Sequence, residues 1–133
     1  MTYLLDTNVC IELLNQRDTS VAHKLAWVVP QTVRLCSVVI AELYHGAYKS
    51  SRREANLALL RQFCAQFDSL PFDDDAAQVY GRLRAGLEKQ GMLIGSHDLL
   101  IAAIAVARGV TLVTRNVAEF GRVPDLTLEN WQT

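Results

Sequence analysis

The chain has 133 residues, half of them hydrophobic, and its 13 Lys and Arg against 14 Asp and Glu give a formal net charge of −1. Such a length suggests a single domain, residues 1–133, that buries a core without disulfide staples, and so apolar a composition excludes a disordered chain. The charge balance excludes bulk electrostatic capture of nucleic acid and leaves only a local basic face for that role.

The three cysteines, Cys10, Cys36 and Cys64, lie among apolar neighbours with no C-x-x-C pair. They read as small core residues in a reducing compartment, not as a zinc site. Asp6 breaks the N-terminal apolar run too early for a signal peptide. The longest apolar run, Leu99 to Ala107, is far short of the roughly 20 residues a membrane span needs. The expectation is a cytoplasmic protein with no membrane partner.

In chain order, "TYLL" reads as a short strand, and "VCIELL" after Asp6-Thr7-Asn8 as a helix. "TSVAHKLAWV" is a second short helix ending near Pro30, and "VRLCS" the next strand. Ser37 is expected to cap the helix "VVIAELYHGAY". "SRRE", Ser51 to Glu54, has the form of a capping box for "ANLALLRQFCAQF". "SLPF" is a short strand. Asp73-Asp74-Asp75 opens a long helix that Gly91 stops. "GSHDLLIAAIAVARG" is a helix capped by Ser96 and ended by Gly109; "VTLVT" is a strand, "NVAEF" a helical turn and "LTLEN" a last weak strand. Strands apolar on both faces alternate with helices, which implies an α/β domain with a mostly parallel sheet between helical layers.

In such sheets ligands bind beyond the carboxyl ends of the strands. Asp6 follows the first strand, Glu42 lies in the helix after "VRLC", Asp98 opens an apolar helix, and Asn116 follows "TLVT". Each also has a plainer reading. Asp6 suits a helix cap, Asp98 suits the positive end of a helix dipole, and Asn116 with Glu119 suits a cap with an acid in the first turn. Glu42 is hardest to dismiss, because its neighbours are nearly all apolar and a buried unpaired carboxylate is costly. Clustered carboxylates repel, and a hard divalent cation such as Mg²⁺ or Mn²⁺ relieves the repulsion. The Asp73–Asp75 run needs no such ion, since acids are favoured at a helix start. His23 and His45 have no partner at ligand spacing. Lys49, Arg52 and Arg53 read as a solvated turn, with a phosphate-contacting role left open.

The blocks "LLDTNV", "SVVIAELYHGA", "IGSHDLLIAAIA" and "TLVTRNVAEFGRVPDLTLENW" in this order closely resemble PIN-domain ribonucleases, in particular the VapC toxins of toxin–antitoxin pairs. The resemblance runs over nearly the whole chain. It implies a PIN-like three-layer fold, with a mostly parallel central sheet flanked by helices. It implies Asp6, Glu42 and Asp98 as ligands of Mg²⁺, for which Mn²⁺ can substitute. It leaves Asn116 or Glu119 as an auxiliary catalytic residue, and Thr7, Asn8 and Thr114 as groups that orient the carboxylates. Arg115 and His97 become candidate RNA contacts. The implied activity is hydrolysis of structured RNA, such as a tRNA anticodon loop, with initiator tRNA a plausible target. The implied partners are a VapB-type antitoxin and a second copy of the chain, in a homodimer or a larger toxin–antitoxin assembly.

Two other classes stay open at this point. One is a different acid-cluster enzyme: a phosphatase of the D-x-D type lacks its second Asp, because Asn8 stands there, and a receiver domain lacks its late lysine. The other is a catalytically silent module that only binds RNA or a partner. Leu43, Tyr44 and Tyr48 with Leu57, Leu59 and Leu60 are expected to leave apolar surface for such a partner or for a dimer.

Overall fold

A computed structural model describes residues 1–15 and 18–132. The elements are β1 (Tyr3–Leu5), α1 (Thr7–Asn15), α2 (Ser20–Trp27), a single 3₁₀ turn (Pro30–Thr32), β2 (Val33–Cys36), α3 (Ser37–Lys49) and α4 (Arg53–Cys64). They continue with β3 (Asp68–Leu70), α5 (Asp74–Lys89), α6 (Ser96–Arg108), β4 (Thr111–Val113), α7 (Val117–Phe120) and β5 (Leu128–Glu129). The sheet runs in the order β3-β2-β1-β4-β5, and every neighbouring pair is parallel. This bears out the expected α/β architecture, including the weak last strand.

The strands are short, so side-chain burial, not ladder length, fixes their register. Leu4, Leu5, Leu35, Leu112 and Val113 are buried on the central strands, on both faces of the sheet. A slip of one residue would turn each of these to the opposite face. Helices α1 to α4 pack on one another, and α5 packs along α6. Helix α6 is buried nearly all round, through Leu99 and Ile101 to Ala105, which is why its sequence carries almost no polar face. Asp73 accepts from the Ala76 N–H to cap α5, and it pairs with Arg108, which ties the start of α5 to the end of α6. Asp74 and Asp75 are exposed in the first turn, as a helix start requires. Gly91 and Gly109 both take positive φ, 67° and 65°, and stop their helices in the left-handed conformation. Cys10 and Cys36 are buried free thiols, and Cys64 is half-buried.

Three expected caps are corrected. Ser37 and Ser96 lie one position inside their helices, which start from Cys36 and Gly95 without a side-chain cap. The Ser37 hydroxyl instead accepts from the Phe72 N–H, 3.2 Å away, across the connection that follows β3. The Ser51–Glu54 capping box does not form; α4 starts from Arg52, and Asn56 bonds back to Ser50 Oγ at 2.9 Å. For Ser37 a tertiary partner outcompetes the local cap. The expected apolar surface is also smaller than its sequence suggests. Leu43, Leu57 and Leu60 are buried within the chain, whereas Tyr48 and Leu59 are exposed.

Candidate active site

From β1 the strand order grows outward one way through β2 and β3, and the other way through β4 and β5. The ends of β1 and β4 therefore form the crevice where parallel sheets bind ligands. The Asp6 N–H donates to Val113 O at 3.0 Å, which extends the β1–β4 ladder by one residue and sets Asp6 beside Thr114.

Both side chains are buried, Asp6 at 4 % exposure and Thr114 at 0 %. Thr114 Oγ1 donates to Asp6 Oδ2 at 2.8 Å and accepts from the Asn116 N–H at 3.0 Å. The Thr7 N–H donates to Asp6 Oδ1 at 2.8 Å. Asp6 does start α1, but through its backbone: Asp6 O accepts from the Cys10 N–H. Its carboxylate is not spent on the donors deeper in the helix. Burial outweighs these bonds and pushes its pKa above the usual 3.8, helped by the charges of Glu42 and Glu119.

Glu42 reaches the same edge from α3. Its Oε1 accepts from the Thr7 hydroxyl at 2.7 Å, and its Oε2 lies 3.4 Å from His97 Nδ1. Thr7 thus bonds two acids at once, one through its amide and one through its hydroxyl. Asp98 stands in the first turn of α6, and Glu119 comes from α7. The Gly95 N–H donates to Glu119 Oε1 at 2.8 Å, and Asn116 Nδ2 donates to Glu119 Oε2 at 2.9 Å. Those donors hold Glu119 below its usual 4.5. Asp98 is affected in the opposite sense. Burial, then the charges of Asp6, Glu119 and Glu42, and a hydrogen bond donated to Glu119, push it up to about 6.

The structure therefore brings Asp6, Glu42, Asp98 and Glu119 to one edge, with Thr7, Thr114 and Asn116 as their donors. Asn116 holds Glu119 and does not itself cap α7 with its side chain. Arg115 and His97 are exposed at this edge. Asn8 departs from expectation: it is exposed, and among the described residues its side chain bonds none of the carboxylates. Among the described residues, no three His, Cys, Asp or Glu side chains stand ready-placed to hold a metal ion. What the edge does hold is an excess of negative charge: among the described residues no Lys or Arg bonds to these acids, and the His97 ring stands 3.4 Å from Glu42.

Sequence reasoning missed how α7 is fixed. A Cβ on Gly121 would sit 2.6 Å from Val117 O, so glycine is required where the chain closes behind Glu119. The visible signal was "EFG", a helical turn followed at once by glycine.

The edge opens onto an apolar groove of about 290 Å³ between α1, α3 and α4, lined by Ile11, Leu14, Leu43, Ala47, Leu59 and Leu60. Glu42 lies at its rim.

Residues 3–126 match the family model of the PIN domain. The chain belongs to the PIN-domain family. This PIN domain is 41% identical over 132 residues to the protein named ribonuclease VapC2 of Rickettsia felis, with 98% of each chain covered. It is 35% identical over 133 residues to the protein named tRNA(fMet)-specific endonuclease VapC of Salmonella typhimurium, again with 98% of each covered. Among solved structures it superposes with a TM-score of 0.91 on a chain of the VapBC2 complex from Rickettsia felis bound to a promoter DNA fragment. That match has 39% identity and covers 99% of this chain and 100% of that one.

The raised Asp98 pKa carries a stability prediction. Between the ordinary value of 3.8 and about 6, the folded PIN domain keeps a proton that the unfolded chain has released. Metal-free stability therefore falls as pH rises through that window, and above it the fold bears the full repulsion. Asp98→Asn removes the repulsion. In EDTA at pH 7.5 it should melt at or above wild type, by up to about 5 °C. The difference should narrow as pH falls through that window and close only below about pH 4. A variant that melts well below wild type at both pH values would make Asp98 a structural group instead.

Proposed function

We propose that this PIN domain is the toxin of a toxin–antitoxin pair: a Mg²⁺-dependent endoribonuclease, with Mn²⁺ as substitute, that hydrolyses a phosphodiester of structured RNA in the cytoplasm. The observation that carries the reading is the convergence of Asp6, Glu42, Asp98 and Glu119 on one sheet edge, with hydroxyls and amides aimed at three of them. Fixing acids so firmly while leaving their repulsion uncompensated is a poor structural device. It is a sensible one for a site that takes up a cation.

The donor set fits that ion. It is all oxygen, as Mg²⁺ and Mn²⁺ prefer, and Mg²⁺ commonly takes only one or two carboxylates directly and reaches others through water. Asp6, Glu42 and Asp98 would hold it, with Glu119 as the auxiliary acid. When bound, the ion supplies neutralisation of charge on the phosphoryl oxygens and acidification of the attacking water. The chain's own residues supply positioning. Thr114 and the Thr7 amide fix Asp6, the Thr7 hydroxyl fixes Glu42, and Asn116 with the Gly95 amide fixes Glu119. Arg115 and His97 are offered to the phosphates of the substrate. Water adds its oxygen to phosphorus, the P–O3′ bond breaks, and the 3′ oxygen takes up a proton.

The products then carry a 5′-phosphate and a 3′-hydroxyl. Mapping the ends released from bulk tRNA by purified, partner-free protein tests this; 2′,3′-cyclic phosphate ends would contradict it. The name of the Salmonella relative supports initiator tRNA as the first substrate to try. The solved VapBC complexes support a VapB-type antitoxin as partner. The apolar groove beside Glu42, with exposed Ile11 and Leu59, is the face we assign to it. We also expect a homodimer, possible within a larger toxin–antitoxin assembly. Co-expression with the neighbouring open reading frame should yield a copurifying complex. A monomeric light-scattering mass together with no partner in the pull-down would overturn the assembly.

A further inference from the structure

A second groove, of about 670 Å³, leaves the acid edge on the other side of Glu42. Thr7, Asn8, Glu42 and His97 lie at its acidic end, and His45, Gly46 and Lys49 continue along α3. Ile11, Val38, Ala41 and Leu100 supply apolar lining. Two of the chain's three histidines are here, in a protein with a formal net charge of −1. Glu42, His45 and Lys49 recur along α3 at the spacing of one helix face. From Glu42 to Lys49 the helix rises about 10 Å, so the basic groups begin where the acids end. Among the described residues His45 and Lys49 form no ion pair, and both are exposed. The Lys49 ammonium and the His45 ring are therefore free for a ligand.

Gly46 is an independent pointer. It sits in the last turn of α3, where glycine still costs up to about 1 kcal/mol relative to alanine. A Cβ there would meet nothing within 4 Å, so packing within the chain does not demand glycine. Gly81 and Gly86 on α5 are equally open, but they line neither groove. Gly46 lines both. A glycine that nothing inside the chain requires, on the floor of a groove, suits close approach by something from outside.

We infer that this groove is the track for the RNA strand flanking the scissile phosphate, with His45 and Lys49 on successive phosphates and Gly46 giving the backbone room between them. The inference rests on the ribonuclease reading. A groove that carries Lys49 and His45 away from an acidic, ion-binding end matches the alternation an RNA strand needs: a phosphate held by a basic group on the flank, and by a cation at the reacting phosphate. His45 and Lys49 are positioning residues, and act on binding and not on the chemical step.

The test is binding of a labelled single-stranded RNA oligonucleotide to the full chain in EDTA, across a salt series. Each phosphate contact on a single strand contributes about 0.7 to the slope of log affinity against log salt. Lys49→Ala should lower that slope by about 0.7 and weaken binding about three- to tenfold, whereas Lys49→Arg should restore both. His45→Ala should weaken binding as well. With Mg²⁺ and saturating RNA, the single-turnover rate of Lys49→Ala should stay within about twofold of wild type. Gly46→Leu should melt at or above wild type, because leucine is the better helix former, yet bind RNA more weakly. A purely structural role for Gly46 predicts no loss of binding from that change. If wild type binds and cleaves RNA while Lys49→Ala keeps the full salt slope and Gly46→Leu keeps full affinity, the track is wrong and the ribonuclease reading stands. If wild type neither binds nor cleaves RNA, both fall together.

Discussion

Asp6→Asn, Glu42→Gln and Asp98→Asn are each expected to cut single-turnover cleavage by about a hundredfold or more, while RNA affinity changes far less. Each variant keeps the shape of its side chain, removes the charge and turns one acceptor oxygen into an NH2 donor. At Asp6 the amide oxygen can still accept from one of the two donors, the Thr7 N–H or the Thr114 hydroxyl, which bond different carboxylate oxygens; one bond is lost, and the buried contacts around it should keep the fold. Stabilisation that acts on the developing transition-state charge is lost from the rate and not from ground-state binding. Because the acids act as one unit, double variants should fall far short of additivity. Glu119→Gln should cost less than these, and Asn116→Ala less again, since Asn116 acts only by holding Glu119. Asp74→Asn should do almost nothing, being an exposed acid in a helix start. Equal losses in binding and rate for the Asp6 variant would show that it disturbs the surface and not the chemistry.

Phe120→Ala is expected to have the largest effect on stability, about 3–5 kcal/mol in denaturant melts, and to lower activity as well. Phe120 is fully buried at the end of α7, a helix of only 4 residues. So short a helix cannot hold itself by its own hydrogen bonds. Its anchor is the phenyl ring, and the ring's neighbour in sequence is Glu119. Loosening the ring frees Glu119 from the Gly95 amide and so exposes Asp98 to a moving charge. Phe120→Leu, which keeps most of the volume, should be much milder. A cost below about 1 kcal/mol for the alanine variant would mean that α7 is anchored by something other than Phe120.

The fold was legible where one pattern dominated. The apolar runs around Leu4, Leu35 and Leu112 announced a sheet buried on both faces, and the all-round apolar helix at Leu99–Ala107 announced its place in the core. Asp73 and Gly109 were legible because capping and left-handed termination are local chemistry. Ser37, Ser51 and Ser96 misled because a serine near a helix start has several possible partners. For Ser37 the winner was Phe72, a residue far away in sequence. The acids of the site were legible from their positions at strand ends and from the resemblance to PIN domains. Their division of labour was not. Whether Asn116 or Glu119 faces the cluster depends on one turn of helix, and only the three-dimensional placement of Gly95 shows that Glu119 does and that Asn116 supports it. Thr7 and Asn8 are adjacent in sequence, but only Thr7 bonds the carboxylates, so their roles separated only in the structure.

The most direct test of the account is single-turnover cleavage of bulk tRNA by purified, partner-free protein, run in Mg²⁺, in EDTA, and in EDTA followed by excess Mg²⁺ or Mn²⁺. The account predicts cleavage in the first, none in the second and recovery in the third, with Asp6→Asn inactive throughout. Cleavage that persists in EDTA, or that Asp6→Asn carries out at near the wild-type rate, would contradict it.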